Sequence, residues 1–550
     1  MTEMTEAPGG GRRAGPQETL LNPTERTRPR VRGPVPARVD VAVVGAGLGG
    51  LTAAARLARS GLRVAVFDPH YVAGGCATMF ARGRPGQRFV FDVGLHYVGE
   101  AGEGGAVRRI LDGLGADVSW CALDPDGYDV LHLPGLDFAV PCDPSAFRAR
   151  LLEHFPSERR GIDRYLRLVE EVGHLAHRSG PGLILQAMLR GRLAAWVERE
   201  TLSEFLTGCT RDPQLQAVLS GQNGIYGLPP SRASALMHAG LLWHYSQGAW
   251  YPRGGGQALA DRLCEVIEAH GGTVHLRHRV TGIEVGPSGR VRGVRVHAPG
   301  GELELESPRV VSNADLAKTL LELLPAAHLP DRLRRRVQGY EWACGIFITF
   351  IGVRGNLADL GVGTRNHWQY DTLDMEEYYA PTQGPGLPRG AYFTSGSLKD
   401  AGSHNHASAG LQTLEIMAMA PPASAWAEAP TAPGAQSQYR KHPDYLEMKA
   451  RFEGDLIQRA ERLFPGLGER ILFVESATPA THLRFTGATD GSAYGIAGTP
   501  SQMMRWRLGW RGPVPGLYLC GASLGSGHGI AGALRSGHAA AGALLQDRKG

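Results

Sequence analysis

The chain contains 550 residues, of which 43% are hydrophobic and 20% are charged, a globular composition whose length predicts at least two hydrophobic cores. The formal net charge of +5 is mild and the 58 basic residues are interspersed with 53 acidic ones, which excludes nucleic acid as an expected partner. Seven scattered cysteines without a CxxC pair and the lack of a long apolar run predict a cytoplasmic protein with no metal site, no signal peptide and no transmembrane helix.

The first elements of the chain predict a leader followed by a βαβ unit. Residues 1–38 are rich in Pro, Gly, Arg and Glu and lack apolar periodicity, so we expect a disordered leader. The apolar run 39–44 is typical of a buried parallel strand, an alanine-rich helix is predicted over 51–60, and a second strand is predicted over 62–67. Together these elements have the length of one βαβ unit.

The turn between the first strand and the helix carries the strongest signal for a ligand. In the pattern Gly45-x-Gly47-x-x-Gly50 the first glycine permits a tight turn, the second lets the backbone approach a pyrophosphate, and the third lets helix and strand pack closely. The helix N-terminus then faces the phosphate charge, and Asp68 at the end of the second strand can accept hydrogen bonds from a ribose. Dinucleotide binding is therefore favoured over a tight turn without a ligand.

The stretch FDVGLHYVGE, residues 91–100, places a histidine and a tyrosine among strand-forming residues. Either His96 or Tyr97 could supply or relay a proton, since histidine titrates near neutral pH. The alternative is that one side chain fills the core and the other hydrogen-bonds the backbone. Strand periodicity over 91–99 predicts that His96 and Tyr97 lie on opposite faces unless the strand is bulged.

The remaining regions alternate between helical and mixed patterns. Residues 144–251 are mostly helical in pattern, and a helix predicted over 257–270 is followed by strands over 273–280, 282–285 and 290–296. Residues 342–479 mix strands, proline-rich loops and helices. A final strand is predicted over 516–521, before a helix of small residues.

Two helical stretches have apolar residues that could meet a substrate or a membrane. The stretch 181–197 combines Leu, Ile and Met with two arginines, so it is predicted either to lie on a membrane surface or to pack as an ordinary surface helix. His238, His244 and Tyr245 share a helix with large apolar residues. Their spacing does not suit a metal site and favours lining or supporting an apolar tunnel.

Several further motifs follow the glycine loop in an order typical of flavoproteins. Gly74-Gly75 comes shortly after Asp68, Val280 lies in Arg279-Val280-Thr281, and the late strand GLYLCG spans 516–521. From Val39 to the C-terminus the chain resembles the FAD-dependent superfamily of phytoene desaturases, carotenoid isomerases and retinol saturases. The stretches 91–100, 226–255 and 464–487 look most like the all-trans-retinol 13,14-reductase branch, whereas 526–532 is similar to the tail of carotenoid desaturases.

The resemblance implies an α/β fold with two domains. One is a Rossmann-like FAD-binding domain of the glutathione-reductase and amine-oxidase type, expected from residues 39–143, 251–340 and 481–550. The other is an interleaved α+β substrate-binding domain, expected from the helical, membrane-facing segment 144–250 and from residues 341–480. Residues 1–38 remain outside both.

The resemblance also implies which residues hold FAD. By their positions in the sequence they are Gly45, Ala46, Gly47, Gly49, Gly50, Asp68, Gly74, Gly75, Cys76, Val280, Gly521, Gly529, Ile530 and Ala531. Ala522 departs from the pattern, because many such flavoproteins have an acid directly after the final strand's glycine. We therefore expect the backbone N–H groups of 523–532 to hold the flavin end.

Four residues are candidates for a proton step: His96, Tyr97, Tyr494 and His528. His528 lies in the glycine-rich loop that the resemblance places nearest the flavin ring. Tyr494 lies in a tyrosine-glycine turn similar to one in the retinol saturase branch. Packing within turns is the alternative for both residues.

We therefore expect an FAD-dependent oxidoreductase that saturates one double bond of a long conjugated polyene, such as a retinoid, a carotenoid or a polyketide chain. Hydride would come from flavin N5 and a proton would complete the reduction. The alternatives are a desaturase, a cis-trans isomerase that needs reduced flavin without net turnover, and a catalytically silent protein that binds flavin or a polyene. NAD(P)H is a candidate electron donor, and an apolar substrate implies peripheral contact with a membrane.

Overall fold

A computed structural model describes residues 35–176, 197–384, 386–403, 405–426, 438–503, 506–525 and 527–548. Most of the predicted leader, and the stretch 181–196 that was predicted as a membrane-surface or ordinary surface helix, lie outside the described residues. In the described part of the chain, none of the helices combines the length and the hydrophobicity that crossing a bilayer requires.

Runs of strands and runs of helices follow one another along the described chain. The β-strands are β1 (Val41–Val44), β2 (Val64–Asp68), β3 (Met79–Arg84), β4 (Gln87–Asp92), β5 (Val98–Gly99), β6 (Trp120–Ala122), β7 (Asp129–Leu133), β8 (Leu136–Val140), β9 (Ala249–Pro252), β10 (Thr273–Leu276), β11 (Arg279–Val285), β12 (Val291–Ala298), β13 (Gly301–Glu306), β14 (Val310–Ser312), β15 (Gly345–Arg354), β16 (Asn366–Tyr370), β17 (Gly390–Thr394), β18 (Leu411–Ala420), β19 (Ile471–Ala477) and β20 (Leu517–Leu519). The α-helices are α1 (Leu48–Arg59), α2 (Ala106–Leu114), α3 (Pro144–His154), α4 (Arg159–Ala176), α5 (Leu202–Thr207), α6 (Pro213–Ser220), α7 (Ala235–Tyr245), α8 (Gly256–Ala269), α9 (Asp331–Gln338), α10 (Met375–Tyr379), α11 (Gly396–Lys399), α12 (Pro443–Leu463), α13 (Pro479–Thr486) and α14 (Gly529–Asp547).

A parallel sheet with the strand order β10-β2-β1-β14-β20 forms the first layer. All of β1 and most of β2 are buried, as expected for parallel strands covered on both faces. α1 packs against α8 and α14 on one side, and β11 and β12 contribute to the apolar core on the other. Strands from three distant parts of the chain therefore build one dinucleotide-type sheet.

The predicted βαβ unit is confirmed by β1, α1 and β2. The boundaries differ by one to three residues, since β1 begins at Val41 rather than Val39 and β2 spans Val64–Asp68 rather than 62–67. α1 spans Leu48–Arg59 rather than 51–60 and so includes Gly49 and Gly50 in its first turn. The predicted final strand and helix are confirmed by β20 and α14.

A second sheet has the strand order β19-β15-β18-β17-β16-β7-β8. Its long central strands β15 and β18 pair in antiparallel fashion over their whole length, whereas β7 joins β16 in parallel. An apolar core between this sheet and α12 includes Phe347, Ile416, Phe452 and Leu456. Residues 129–140 thus belong to the same sheet as 345–420.

The strand predicted over 91–99 is interrupted. β4 ends at Asp92, whose carboxylate accepts hydrogen bonds from Tyr251 Oη and from the backbone N–H of Gly256 at 2.8 Å. These bonds hold Asp92 against β9 and the start of α8. Strand pairing resumes only at β5, which pairs with β9. The alternation of a strand therefore does not extend through residues 93–97.

The expected opposite-face arrangement of His96 and Tyr97 is not observed, because their segment is not a strand. Both rings contact the ring of Tyr392, with centroid distances of 5.9 and 6.4 Å. The two candidate residues therefore border one aromatic side chain.

The strand predicted over 273–280 is also divided. β10 ends at Leu276 and β11 begins at Arg279, and the two strands belong to different sheets. Between them Arg277 has a φ of 61°, a left-handed conformation that is uncommon outside glycine. A turn of this kind redirects the chain from the parallel sheet to the next layer.

Candidate functional site

The glycine loop between β1 and α1 is packed closely against Asn313. A Cβ added at Gly47 would lie 2.7 Å from Asn313 Nδ2, and one at Gly49 would lie 2.4 Å from Asn313 Oδ1. A Cβ at Gly50 would lie 2.1 Å from the carbonyl oxygen of Gly45. These approaches leave no room for side chains, as a loop that presents backbone N–H groups to a pyrophosphate requires.

Asn313 was not among the predicted residues. It directly follows β14, whose carboxyl end lies at the same edge as that of β1, and its backbone N–H donates to the Val44 carbonyl at 2.8 Å. A polar residue just after a buried strand is a usable signal, since ligands of such sheets bind at this edge. The sequence did not reveal that β14 pairs with β1, and this pairing is what brings Asn313 to the glycine loop.

Asp68 is held at the end of β2 by the backbone. Its Oδ2 accepts the N–H of Ala46 at 2.7 Å and its Oδ1 accepts the N–H of His70 at 2.8 Å. Burial raises the pKa of the carboxyl, and these two hydrogen bonds oppose that rise. Since each carboxylate oxygen can accept a further bond, the arrangement suits a ribose hydroxyl.

A pocket of about 300 Å³ opens beside Asp68. Its lining combines aromatic and cationic side chains: Pro69, His70, Tyr71, Arg277, Arg279, Arg484 and Phe485. Val280, one of the residues expected to hold FAD, follows Arg279 in β11. The residues present therefore fit the adenosine end of a dinucleotide.

The segment Gly74-Gly75-Cys76 runs alongside the glycine loop. The N–H of Gly74 donates to the Ala46 carbonyl at 2.8 Å. Gly75 and Cys76 are exposed, yet burial raises the pKa of the Cys76 thiol to about 11. The raised pKa makes this thiol a poor nucleophile.

The loop after β20 is fixed by a buried arginine that was not predicted. Arg507 donates to the carbonyl oxygens of Ile496 at 2.8 Å, of Gln502 at 3.0 Å and of Ala522 at 2.9 Å. The N–H of Gly521 donates to Ser536 Oγ at 2.7 Å. The loop that starts at Gly521 is thus held through its backbone, in line with the absence of an acid at Ala522.

Two further residues predicted to hold the cofactor begin α14. Gly529 is exposed and has a φ of 73°, and a Cβ there would meet no atom of the described residues within 4 Å. Ile530 is half-buried and Ala531 is buried. The N-terminus of α14 therefore has open space in front of it.

His96 is half-buried and has a neutral imidazole at pH 7. Burial, aided by the charge of Lys399, lowers the pKa of His96 to about 3. Its ring contacts Tyr392, and its backbone carbonyl accepts a hydrogen bond from Lys399 Nζ at 2.7 Å. As a neutral group it can donate or accept a hydrogen bond, but it is not a strong acid.

Tyr97 is buried and directs its hydroxyl at Asp129. The hydroxyl donates to Asp129 Oδ2 at 2.9 Å, and the Tyr97 ring stacks on Tyr245 with a centroid distance of 4.7 Å. Asp129 also accepts Gln222 Nε2 at 2.6 Å and Asn366 Nδ2 at 2.8 Å. Tyr97 therefore supports a buried carboxylate.

Tyr494 and His528 form a second pair. Their ring centroids are 5.0 Å apart, and Tyr494 Oη donates to the Gly224 carbonyl at 2.9 Å. Burial lowers the pKa of His528 to about 4. Among the described residues no ring contact joins His528 to His96 or Tyr97, so the four candidates fall into two pairs.

The histidines of α7 have structural partners. His238 contacts the hydroxyls of Tyr165 at 2.7 Å and Tyr226 at 3.0 Å. His244 Nε2 accepts the N–H of Gly99 at 2.9 Å, which leaves Nδ1 to donate to Glu100 at 2.8 Å. In the described ranges no group of three His, Cys, Asp or Glu residues is arranged to hold a metal ion.

Comparison with known proteins agrees with this geometry. The family model described as "Flavin containing amine oxidoreductase" matches residues 48–545. All-trans-retinol 13,14-reductase of Homo sapiens is 30% identical over 541 residues, covering 93% of this chain and 86% of that protein. Prolycopene isomerase of Daucus carota is 25% identical, covering 89% and 77%. An oxidoreductase structure from Methanosarcina mazei superposes with a TM-score of 0.59 at 18% identity, covering 92% and 99%, and this shows the fold alone.

Proposed function

The chain belongs to the flavin containing amine oxidoreductase family and, within it, to the all-trans-retinol 13,14-reductase branch, and from this premise we propose that it reduces one double bond of a long conjugated polyene. As a member of this family it is an FAD-dependent oxidoreductase. The observation that carries the choice of substrate is the aromatic wall beside His96, where Tyr97, Tyr245 and Tyr392 are in ring contact. Flat aromatic faces suit a flat conjugated chain.

Residues of the parallel sheet and of its connecting loops would hold FAD. The glycine loop and the N-terminus of α1 would face the pyrophosphate, Asp68 would accept a ribose hydroxyl, and the loop from Gly521 to Gly529 would border the flavin end. When bound, the reduced cofactor supplies hydride to the site. The chain's own residues bind it, orient it and shield it from water.

The protein's part in the reduction is orientation and control of the proton. Saturating a double bond adds a hydride to one carbon and a proton to the other. We assign contact with the substrate to His96, whose neutral imidazole can orient a water or a proton carrier by hydrogen bonding. Tyr97, the next residue, is fixed in the core by its hydrogen bond to Asp129.

An apolar substrate implies that the protein meets a membrane. A long polyene is stored in a membrane, so we propose peripheral contact of a cytoplasmic protein with a membrane surface. NAD(P)H is the electron donor that we propose for returning the flavin to its reduced state. Measuring flavin bleaching on anaerobic addition of NADPH or NADH tests this assignment directly.

A second candidate is cis-trans isomerisation, which the similarity to prolycopene isomerase supports. Both histidine candidates for the proton step are neutral at pH 7, since burial lowers the pKa of His96 to about 3 and of His528 to about 4. An isomerisation needs no net proton, and such a site would serve it. The two functions differ in the mass of the product.

The deciding experiment is a single turnover with chemically reduced enzyme. A retinoid or carotenoid in detergent is added anaerobically while flavin absorbance and product mass are followed. Reoxidised flavin and a product heavier by two hydrogens support the proposal. An unchanged mass with a new isomer supports isomerisation, and loss of two hydrogens with the oxidised enzyme identifies a desaturase. Flavin that is reduced normally but acts on no polyene identifies a silent binding protein.

A further inference from the structure

Lys399 is a buried cation that the proposed mechanism leaves unused. It ends α11, it is 5% exposed, and its Nζ donates to the His96 carbonyl at 2.7 Å. It also donates to Asn366 Oδ1 and Thr394 Oγ1, both at 2.5 Å. A lysine ammonium has three N–H donors, so these three acceptors use all of them and define one position for the group.

Carboxyl groups from separate strands surround this ammonium. Burial lowers the pKa of Lys399 to about 8, while the charges of Glu415, Asp129 and Asp92 act to raise it. Burial also raises the pKa of Glu415 to about 8. The titratable groups that face Lys399 from the elements packed on it are Asp92, His96, Tyr97, Asp129, Tyr251, His367 and Glu415.

Two of the three hydrogen bonds of Lys399 lead to the proposed site. The first holds the backbone of His96, in a stretch that no strand pairing fixes. The second holds Asn366, which donates to Asp129 at 2.8 Å, and Asp129 in turn accepts the hydroxyl of Tyr97. One ammonium thus connects both members of the His96–Tyr97 pair.

We propose that Lys399 is a positioning residue that holds the His96 imidazole in place at the polyene site through the His96 carbonyl. This inference rests on the proposed function, because it concerns the geometry of the same site. A methionine at this position has nearly the length of lysine but no donor. Lys399→Met therefore removes the anchor with little change in packing volume.

The main test is a double-mutant cycle between Lys399→Met and His96→Ala. Lys399→Met should lower kcat at least tenfold with a smaller change in KM, and in the His96→Ala background it should have little further effect. The control is Lys441→Met, an exposed lysine, which should leave kcat unchanged. The inference would be overturned if the two substitutions lowered kcat independently, so that their effects multiplied in the double variant. It would also be overturned if Lys399→Met had the kinetics of the wild type.

A second measurement does not depend on turnover. Because the folded-state pKa of Lys399, about 8, lies below its ordinary value of 10.5, the folded protein releases this proton first as pH rises. Wild-type stability should therefore increase relative to Lys399→Met between about pH 8 and 10.5. If the wild type reduces no polyene, the proposed function fails. The inference about Lys399 fails separately if Tm changes with pH in the same way in the wild type and in Lys399→Met.

Discussion

Tyr97 donates its hydroxyl hydrogen bond to Asp129 at 2.9 Å, within a buried carboxylate site that also receives donors from Gln222 and Asn366. Burial and the charge of Asp129 both raise the pKa of Tyr97. The hydroxyl is therefore held protonated with its hydrogen committed to Asp129. In the proposed mechanism Tyr97 supports the site and His96 contacts the substrate.

Tyr97→Phe tests this division of roles. The substitution removes one donor from Asp129 and leaves two, so we expect a loss of about 1–2 kcal/mol in the free energy of unfolding and a decrease in kcat of less than about tenfold, equivalent to 1.4 kcal/mol. Denaturant unfolding and single-turnover kinetics measure the two effects. Tyr340→Phe is the control, because among the described residues the buried hydroxyl of Tyr340 has no hydrogen-bond partner. A decrease in kcat of several hundredfold with unchanged stability would identify Tyr97 as the acid instead.

The pH dependence of turnover tests the state of His96. Burial lowers the pKa of His96 to about 3, so its imidazole gains no charge between pH 5 and 8. We therefore expect that titration of His96 causes no change of rate with pH in this range. We expect His96→Gln, which keeps a neutral hydrogen-bonding group, to retain more activity than His96→Ala. A titration near pH 6.5 that His96→Gln abolishes would show that His96 acts as an imidazolium.

Gly47→Val tests the placement of the pyrophosphate. The new Cβ would approach Asn313 Nδ2 to 2.7 Å, so the side chain must occupy the space that the backbone needs for contact with the cofactor. The expected product is folded protein without flavin, recognised by circular dichroism and by the loss of visible absorbance. Gly113→Val is the control, since a Cβ at that exposed helix position has no neighbour within 4 Å in the described part of the chain. A yellow, FAD-saturated Gly47→Val protein would contradict the placement.

Glu100 should make stability depend on acid pH. Burial opposes its ionisation, but the hydrogen bond from His244 and the charge of Arg535 outweigh burial and lower the pKa of Glu100 from 4.5 to about 2. A carboxyl with a lowered folded-state pKa stabilises the protein above pH 4.5 and loses this contribution as pH falls towards 2. The contribution is about 3 kcal/mol.

Glu100→Gln removes this contribution and should flatten the acid limb of the stability curve, measured by denaturant unfolding from pH 2 to 7. Glu103→Gln, at an exposed position three residues further on, should leave the limb unchanged. An acid limb of equal steepness in Glu100→Gln and the wild type would show that the contacts with His244 and Arg535 do not hold the charged carboxylate.

The elements that the sequence predicted well are those that depend on neighbouring residues. β1, α1 and β2 follow from an apolar run, a glycine loop and an alanine-rich helix, all within 28 residues. The acid at Asp68 was predictable for the same reason, because it ends one of these strands. The boundaries of these elements shifted by one to three residues, most at the start of α1, where Gly49 and Gly50 joined the first helical turn.

The residues that sequence analysis missed depend on contacts between distant segments. Asn313 reaches the glycine loop through the pairing of β14 with β1, and Arg507 reaches Ala522 across a turn. Lys399 acquires its role from His96, which is 303 positions earlier in the chain. Glu415 did carry a signal, since a charged residue inside the apolar strand LQTLEIMAMA is unusual.

The order of strands in the parallel sheet has a consequence for synthesis of the protein. β1 is made near the start of translation, but the sheet is completed only by β20, which ends at Leu519. At 5–20 residues per second, a ribosome needs about 25–100 s to bridge that gap. During this time the nascent chain has the glycine loop but not the backbone from Gly521 onward that we propose to border the flavin, so we expect stable loading with FAD only after β20 has left the ribosome. We expect chaperones and FAD supply to matter most in that interval.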